Sequence, residues 1–301
     1  MHLNRTASTA LMACALAVSA APAPGAAQDR PAPQAAAVHR LADVPYGPHL
    51  RQRMDVYLPA RAATAGRPAP VILMVHGGAW SLGDKARGGV VREKVARWVE
   101  RGFVLVSANY RLHPGADPLQ QAQDVAAALA AVQAQAARWG GDAGRVVLMG
   151  HSAGAHLVAL VNVAPAFAQR AGAQPWLGAV ALDSAALDLP ALMAAPHPRF
   201  YDRVFGTDPA FWRQASPWHA LAGPVPPLLL VCSTERADAS CGPAEAMARQ
   251  AQALGGRAEV LPQALSHGEI NAQLGRDGGY TRAVERFIAS LDTQVARMLG
   301  F

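Results

Sequence analysis

Apolar residues in this chain come in short blocks separated by longer amphipathic stretches. Val71–Val75, Val104–Asn109, Val146–Met149, Ala179–Leu182, Leu228–Ser233 and Ala258–Leu261 are short runs of the kind that form strands buried on both faces. Met54, Val56 and Leu58 alternate with polar or aromatic neighbours and predict an earlier strand. Helical patterning covers Lys85–Arg101, Leu119–Arg138, Ala155–Val163 and Glu269–Leu274. This strand–helix alternation predicts an α/β fold with a mostly parallel central sheet covered by helices on both faces. In such a sheet the functional residues fall in loops at the carboxyl ends of the strands.

Other stretches depart from that rhythm. Residues 28–50 are rich in proline and alanine and read as an arm or linker ahead of one domain spanning 51–301. Arg61 to Pro70 reads as a loop. Between two core strands, residues 189–227 carry Phe200, Tyr201, Phe205, Phe211, Trp212 and Trp218 among several prolines. They form either a cap that shapes a pocket or a satellite of the core.

One strand end carries distinctive chemistry. Gly150-His151-Ser152-Ala153-Gly154 sits between the Val146–Met149 run and the Ala155–Val163 helix. A G-x-S-x-G in a strand–turn–helix context places the serine in a sharp, strained turn, so small residues are needed two positions before and after it. Oγ is lifted out of the sheet, and the N–H of Ala153 lies at a helix N-terminus, suited to a developing oxyanion.

A second strand, Val71–Val75, runs into His76-Gly77-Gly78-Ala79-Trp80. Ala108-Asn109-Tyr110-Arg111-Leu112, Asp124 and Gly141-Asp142 add further points of likeness. Together these residues resemble the esterase/lipase branch of the α/β-hydrolases, near its hormone-sensitive-lipase-like and feruloyl-esterase-like groups. The likeness runs from about Met54 to the C-terminus. Two positions depart from the hormone-sensitive-lipase-like pattern: His151 stands where an aspartate usually precedes the serine, and Ala79 where a third glycine is typical.

The resemblance implies an α/β-hydrolase fold and a Ser-acid-His triad in that chain order. Ser152 is the implied nucleophile, and the N–H groups of Gly78 and Ala79 join that of Ala153 as the oxyanion hole. His267, in Leu265-Ser266-His267-Gly268 beyond the last strand, is the expected general base and acid. Asp238 is the expected acid, with Glu235 as its competitor in the Ser233–Asp238 loop after Leu228–Ser233. Asp183 and Asp188 are read as supports for substrate or loop rather than as triad members. Trp80 and His151, flanking the two motifs, are candidate substrate-binding residues.

The expected reaction is hydrolysis of short- to medium-chain acyl or aryl esters through an acyl-enzyme, with no cofactor and no metal. An arylformamidase-type amide hydrolase, and a catalytically silent binding module on the same fold, stand as alternatives.

Composition fits one enzyme domain: of 301 residues, 51% are hydrophobic and 16% charged, enough for a large core. The apolar Leu11–Ala20 segment follows His2 and Arg5 and precedes Gly25-Ala26-Ala27, which reads as a signal peptide over residues 1–27. Export to the periplasm or the medium is expected, with lipidation at Cys14 as an alternative. Removal of that leader leaves Cys232 and Cys241 as a matched pair in an oxidising compartment, expected to form a disulfide that holds the acid loop against His267. The formal charge of +6 falls by only one with Arg5, and the basic residues are scattered. Nucleic acid is therefore not an expected partner; the resemblance implies a small-molecule ester, and no stable membrane insertion is expected.

Overall fold

Eight strands hydrogen-bond into one sheet, in the order β1-β2-β4-β3-β5-β6-β7-β8. They are β1 (His39–Pro45), β2 (Arg53–Leu58), β3 (Ala69–Val75), β4 (Val104–Ala108), β5 (Gly141–His151), β6 (Gly178–Leu182), β7 (Leu228–Ser233) and β8 (Ala258–Gln263). The computed structural model describes residues 38–60 and 67–301. The expected signal peptide at 1–27, with Cys14, and the first part of the 28–50 arm lie outside the described residues.

From β4 to β8 neighbouring strands run parallel, whereas β1 and β2 are antiparallel to their neighbours. The mostly parallel sheet matches expectation; β1 does not, because part of the anticipated arm pairs with β2. Ion pairs explain its capture. Asp55, buried on β2, takes Arg40 of β1 and Lys85, and Lys85 also reaches Asp43 of β1. The β1–β2 register slips between Leu41 and Val44, where Asp43 has a φ of 56°. At the opposite rim β8 carries Pro262.

The helices follow the strands. They are α1 (Gly88–Lys94), continued by a π-helical turn over Val95–Val99, then α2 (Pro118–Gln135) and α3 (Ala153–Val163). After α4 (Ala166–Arg170) come α5 (Leu189–Ala194), α6 (Phe200–Phe205), α7 (Pro209–Ala215) and α8 (Pro217–Ala220). The chain ends through α9 (Cys241–Ala253), α10 (His267–Gln273), α11 (Gly279–Ala289) and α12 (Thr293–Leu299). Among the described residues, no helix is long and apolar enough to cross a membrane.

Local chemistry sets several helix starts. Asp117 and Gln120 form a capping box with Pro118 in the first turn of α2. The first helix begins at Gly88 rather than Lys85. The Lys85 amide donates to Asn109 Oδ1 and its ammonium is taken by Asp43 and Asp55, which keeps that segment out of the helix.

The period-two alternation of the strands splits the core into two layers. Val71, Leu73, Val75 and Leu148 pack with α2, α3 and Met247 of α9. Ile72, Met74, Val147 and Met149 pack on the other face with Trp98, Ile270, Phe287 and Val295. Both sets are essentially removed from water. Truncating Leu148 to alanine would cost about 2–5 kcal/mol in transfer and cavity terms. The consequence for the site is rigidity, since β3, β5, β6 and β7 deliver their carboxyl ends side by side.

Candidate active site

The nucleophile turn is built from backbone. Ser152 caps α3 with φ 57° and ψ −118°, a conformation that costs a non-glycine residue about 1–3 kcal/mol. Its own amide donates to Leu182 O of β6 at 2.9 Å, so the amide left for an oxyanion is that of the next residue, Ala153. The flanking glycines are required by close approach. A Cβ on Gly150 would lie 2.2 Å from Gly154 O, and one on Gly154 would lie 2.3 Å from Val75 O of β3. Strand, helix and the neighbouring loop therefore pass closer than any side chain permits.

The loop after β3 is wound in the same manner. Gly78, Ala79 and Trp80 have φ values of 129°, 49° and 57°. A Cβ on Gly78 would meet Leu82 O at 2.2 Å. The amides of Ser81 and Leu82 both donate to Gly78 O, closing the loop on itself. His76 is stacked on Tyr110, whose hydroxyl donates to His76 O at 3.1 Å. Burial pushes the His76 imidazole down to about 4, so it stands neutral behind the loop. Among the described residues, no group accepts a hydrogen bond from the amides of Gly78, Ala79 or Ala153. All three residues line one cavity of about 610 Å³ together with Ser152.

His267 faces the serine. Ser152 Oγ donates to His267 Nε2 at 2.9 Å, and His267 Nδ1–H donates to Asp183 Oδ2 at 2.6 Å. The histidine is the first residue of α10 rather than a loop residue. Ser266 and Glu269 form a capping box, an S-x-x-E signal present in the sequence, and this fixes the imidazole at a helix start.

The acid on that imidazole is Asp183, not Asp238. Asp183 directly follows β6, the strand between the serine strand β5 and β7, with φ 59° and a fully buried carboxylate. Its Oδ1 accepts from Ser233 N at 2.9 Å and Ser240 Oγ at 2.7 Å, and its Oδ2 from Arg236 Nη1 at 3.0 Å as well as from His267. Burial works against the charged carboxylate. The hydrogen bonds from His267, Ser240 and the Ser233 amide, with the Arg236 charge, outweigh it and hold the group well below the usual range. Asp238 instead forms a two-pronged ion pair with Arg236, with Nε to Oδ1 at 2.7 Å and Nη2 to Oδ2. Glu235 is exposed. The physical reason is competition: a guanidinium two residues away captures Asp238 before it can reach the imidazole. The arginine at 236 was the available sign. The directness with which Asp183 follows a buried strand was the other.

Cys232 and Cys241 are bonded to each other, with Cα atoms 5.1 Å apart. The loop they close supplies Ser233, Arg236 and Ser240, so the partner it holds is Asp183. The expectation that it would brace Asp238 against His267 is corrected accordingly.

The cavity walls combine packing and display. Trp80 is 2% exposed and lines the cavity; its Nε1 donates to His156 Nδ1 at 3.1 Å, and its ring lies 4.8 Å from Phe205. Burial pushes His156 down to about 4, and its Nε2–H donates to Ala215 O at 2.7 Å. His151 also lines the cavity, but its Nε2–H is spent on His267 O at 2.9 Å. Burial, then the nearby His267, push the His151 imidazole down to about 3, so it braces the base as a neutral ring. From 189–227, Phe200 and Tyr201 line the cavity while Phe205 is buried against Trp80, so that segment both shapes the pocket and packs.

Behind α10 lies Lys94, buried, with Nζ donating to Asn271 O at 2.6 Å and Asn271 Oδ1 at 2.9 Å. Burial pushes its amine down to about 7, and two acceptors match the two N–H groups of a neutral amine.

Strain gathers at this site. Of the six non-glycine residues with positive φ among the described residues, Ala79, Trp80, Ser152 and Asp183 belong to it, as expected where geometry is fixed for chemistry.

Comparison with known proteins agrees with this geometry. Residues 54–173 match the BD-FAE family model. A probable isoprenylcysteine alpha-carbonyl methylesterase from Oryza sativa is 34% identical over 134 residues, 44% of this chain and 31% of that protein. Esterase LipC from Mycobacterium tuberculosis is 30% identical over 207 residues, 64% of this chain and 50% of its own length. The chain thus spans about a third to a half of the length of these relatives. Among solved structures, esterase B from Lactobacillus rhamnosis superposes with a TM-score of 0.69 at 19% identity, covering 89% of each chain, a likeness of fold. The strand order, the strained serine turn and these matches agree in likening the chain to the esterase/lipase branch of the α/β-hydrolase superfamily.

Proposed function

We propose that the protein is a serine carboxylesterase acting on short- to medium-chain acyl or aryl esters through an acyl-enzyme. The observation that carries this reading is the continuous line from Ser152 Oγ through His267 to Asp183, opening on a cavity that also holds three unoccupied amides. His267 takes the Ser152 proton as Oγ attacks the ester carbonyl. The Nδ1–H···Asp183 bond fixes the tautomer and stabilises the imidazolium. The carbonyl oxygen becomes an oxyanion bound by the N–H groups of Gly78, Ala79 and Ala153. The alcohol departs with the proton from His267. Water, deprotonated by the same imidazole, then releases the acid and restores Ser152. The named relatives are methylesterases and esterases, which supports an ester as the substrate class. The Cys232–Cys241 bond fits the exported location that the N-terminal segment suggests.

The test is kcat/KM on p-nitrophenyl esters from acetyl to dodecanoyl, with Ser152→Ala as the control. A maximum at short or medium chains that disappears in the variant is expected. Equal rates in both proteins would overturn the reading, and N-formyl aryl amides would then be tried.

A further inference from the structure

Asp183 accepts hydrogen bonds from three groups besides the imidazole, and all three come from the loop closed by the Cys232–Cys241 bond. Arg236 is the charged member. Its Nη1 donates to both Asp183 Oδ2 and Asp183 O, at 3.0 and 3.2 Å, and stands 3.1 Å from His267 Nδ1. That nitrogen already gives its proton to Asp183, so it has no lone pair for the guanidinium. The last approach is a close meeting of two donors. Left alone, a cation here would oppose the positive charge that His267 gains during reaction. Asp238, whose side chain is 40% exposed, lies on the other side of the guanidinium. Asp183, Arg236 and Asp238 together carry one net negative charge, and imidazolium formation brings the cluster to zero.

We propose that Arg236 and Asp238 are a positioning pair for the triad acid: Arg236 holds the Asp183 carboxylate toward His267, and Asp238 offsets the guanidinium charge. The inference rests on the esterase reading, and deepens it by giving the side chain first expected to be the acid a different task. Neither residue is a proton carrier. Loss of Asp238 alone leaves the guanidinium uncompensated beside the imidazole, which is worse for the reaction than its distance from the serine suggests. Loss of both partners removes the opposition together with the support.

The experiment uses the full chain with Asp238→Asn, Arg236→Gln, Arg236→Lys and the Arg236→Gln/Asp238→Asn double variant, assayed on p-nitrophenyl butyrate. Each of the first two is expected to lower kcat about tenfold with KM within about threefold of wild type. The double variant should be no slower than Arg236→Gln, and Arg236→Lys should recover part of the rate. Wild-type kcat in Asp238→Asn, or multiplicative losses in the double variant, would overturn the pair. A readout independent of turnover is the downfield proton resonance of His267 Nδ1–H, expected to move in Arg236→Gln. An unmoved resonance also overturns the proposal. If wild type shows no Ser152-dependent turnover but the resonance moves as expected, the ester reaction fails and the pair stands.

Discussion

The two halves of the site are built from different materials. On the side of the proposed oxyanion hole, Gly77–Trp80 and Gly150–Gly154 are shaped by main chain, in strained dihedrals and with approaches that exclude a Cβ. On the acid side, Asp183 is held by side chains and one amide drawn from a loop fifty residues downstream, with an ion pair at its outer edge. Backbone machinery demands particular residues at fixed spacing. Side-chain machinery accepts many solutions, so only one half leaves a motif.

Substitutions can separate the halves, starting with the proposed nucleophile between them. Ser152→Ala should reduce kcat by about 10⁴- to 10⁶-fold, read against the uncatalysed rate, because the residual comes from binding and oxyanion donors alone. Asp183→Asn should follow at roughly 10³- to 10⁴-fold, by losing the anion that fixes the imidazole tautomer. Comparing it with Asp238→Ala, expected near tenfold, decides which carboxylate is the acid; equal losses would break the assignment. On the backbone side, Gly154→Ala forces a Cβ to within 2.3 Å of Val75 O. Shifting the elbow should cost about 1–3 kcal/mol of stability and about 100-fold in kcat, measured by urea unfolding and steady-state kinetics. A soluble, fully active Gly154→Ala would show that the elbow has slack.

The smallest effect concerns Lys94, which anchors α10 behind the base. Its amine is down at about 7 in the folded chain and near its ordinary value of 10.5 when unfolded. Between those values the unfolded chain binds a proton that the folded chain lacks, so stability rises with pH across that window and levels off below it. The wild type should therefore gain stability relative to Lys94→Met as pH is raised from about 7 to about 10, by urea titration at each pH. A constant difference would show that the amine is solvated.

Legibility in the sequence follows the same division. The core strands were visible because both faces are buried, leaving nearly unbroken apolar runs such as Val71–Val75. Ser152 and the three amides expected to bind an oxyanion lie in motifs whose spacing is geometric necessity, whereas His267 was read from its place beyond the last strand. Asp183 was in view, but sheet order, not chain order, sets it beside His267. Arg236 was also in view, and its place two residues before Asp238 was the local sign that it would claim that carboxylate. Strand β1 was missed because its hold on the sheet depends on Asp55 and Lys85, both distant in the chain, rather than on a strong apolar alternation of its own.

The two rims of the sheet carry a consequence for how copies of this chain can meet. A rim recruits a foreign strand only if it offers an uninterrupted ladder of donors and acceptors. Strand β1 breaks that ladder with the left-handed residue Asp43 and ends in Pro45, while β8 carries Pro262, which has no N–H to offer. Growth of the sheet from molecule to molecule is thereby discouraged at both ends. Contacts made through the described helices and loops would not extend the sheet whose strands lead to Ser152 and Asp183.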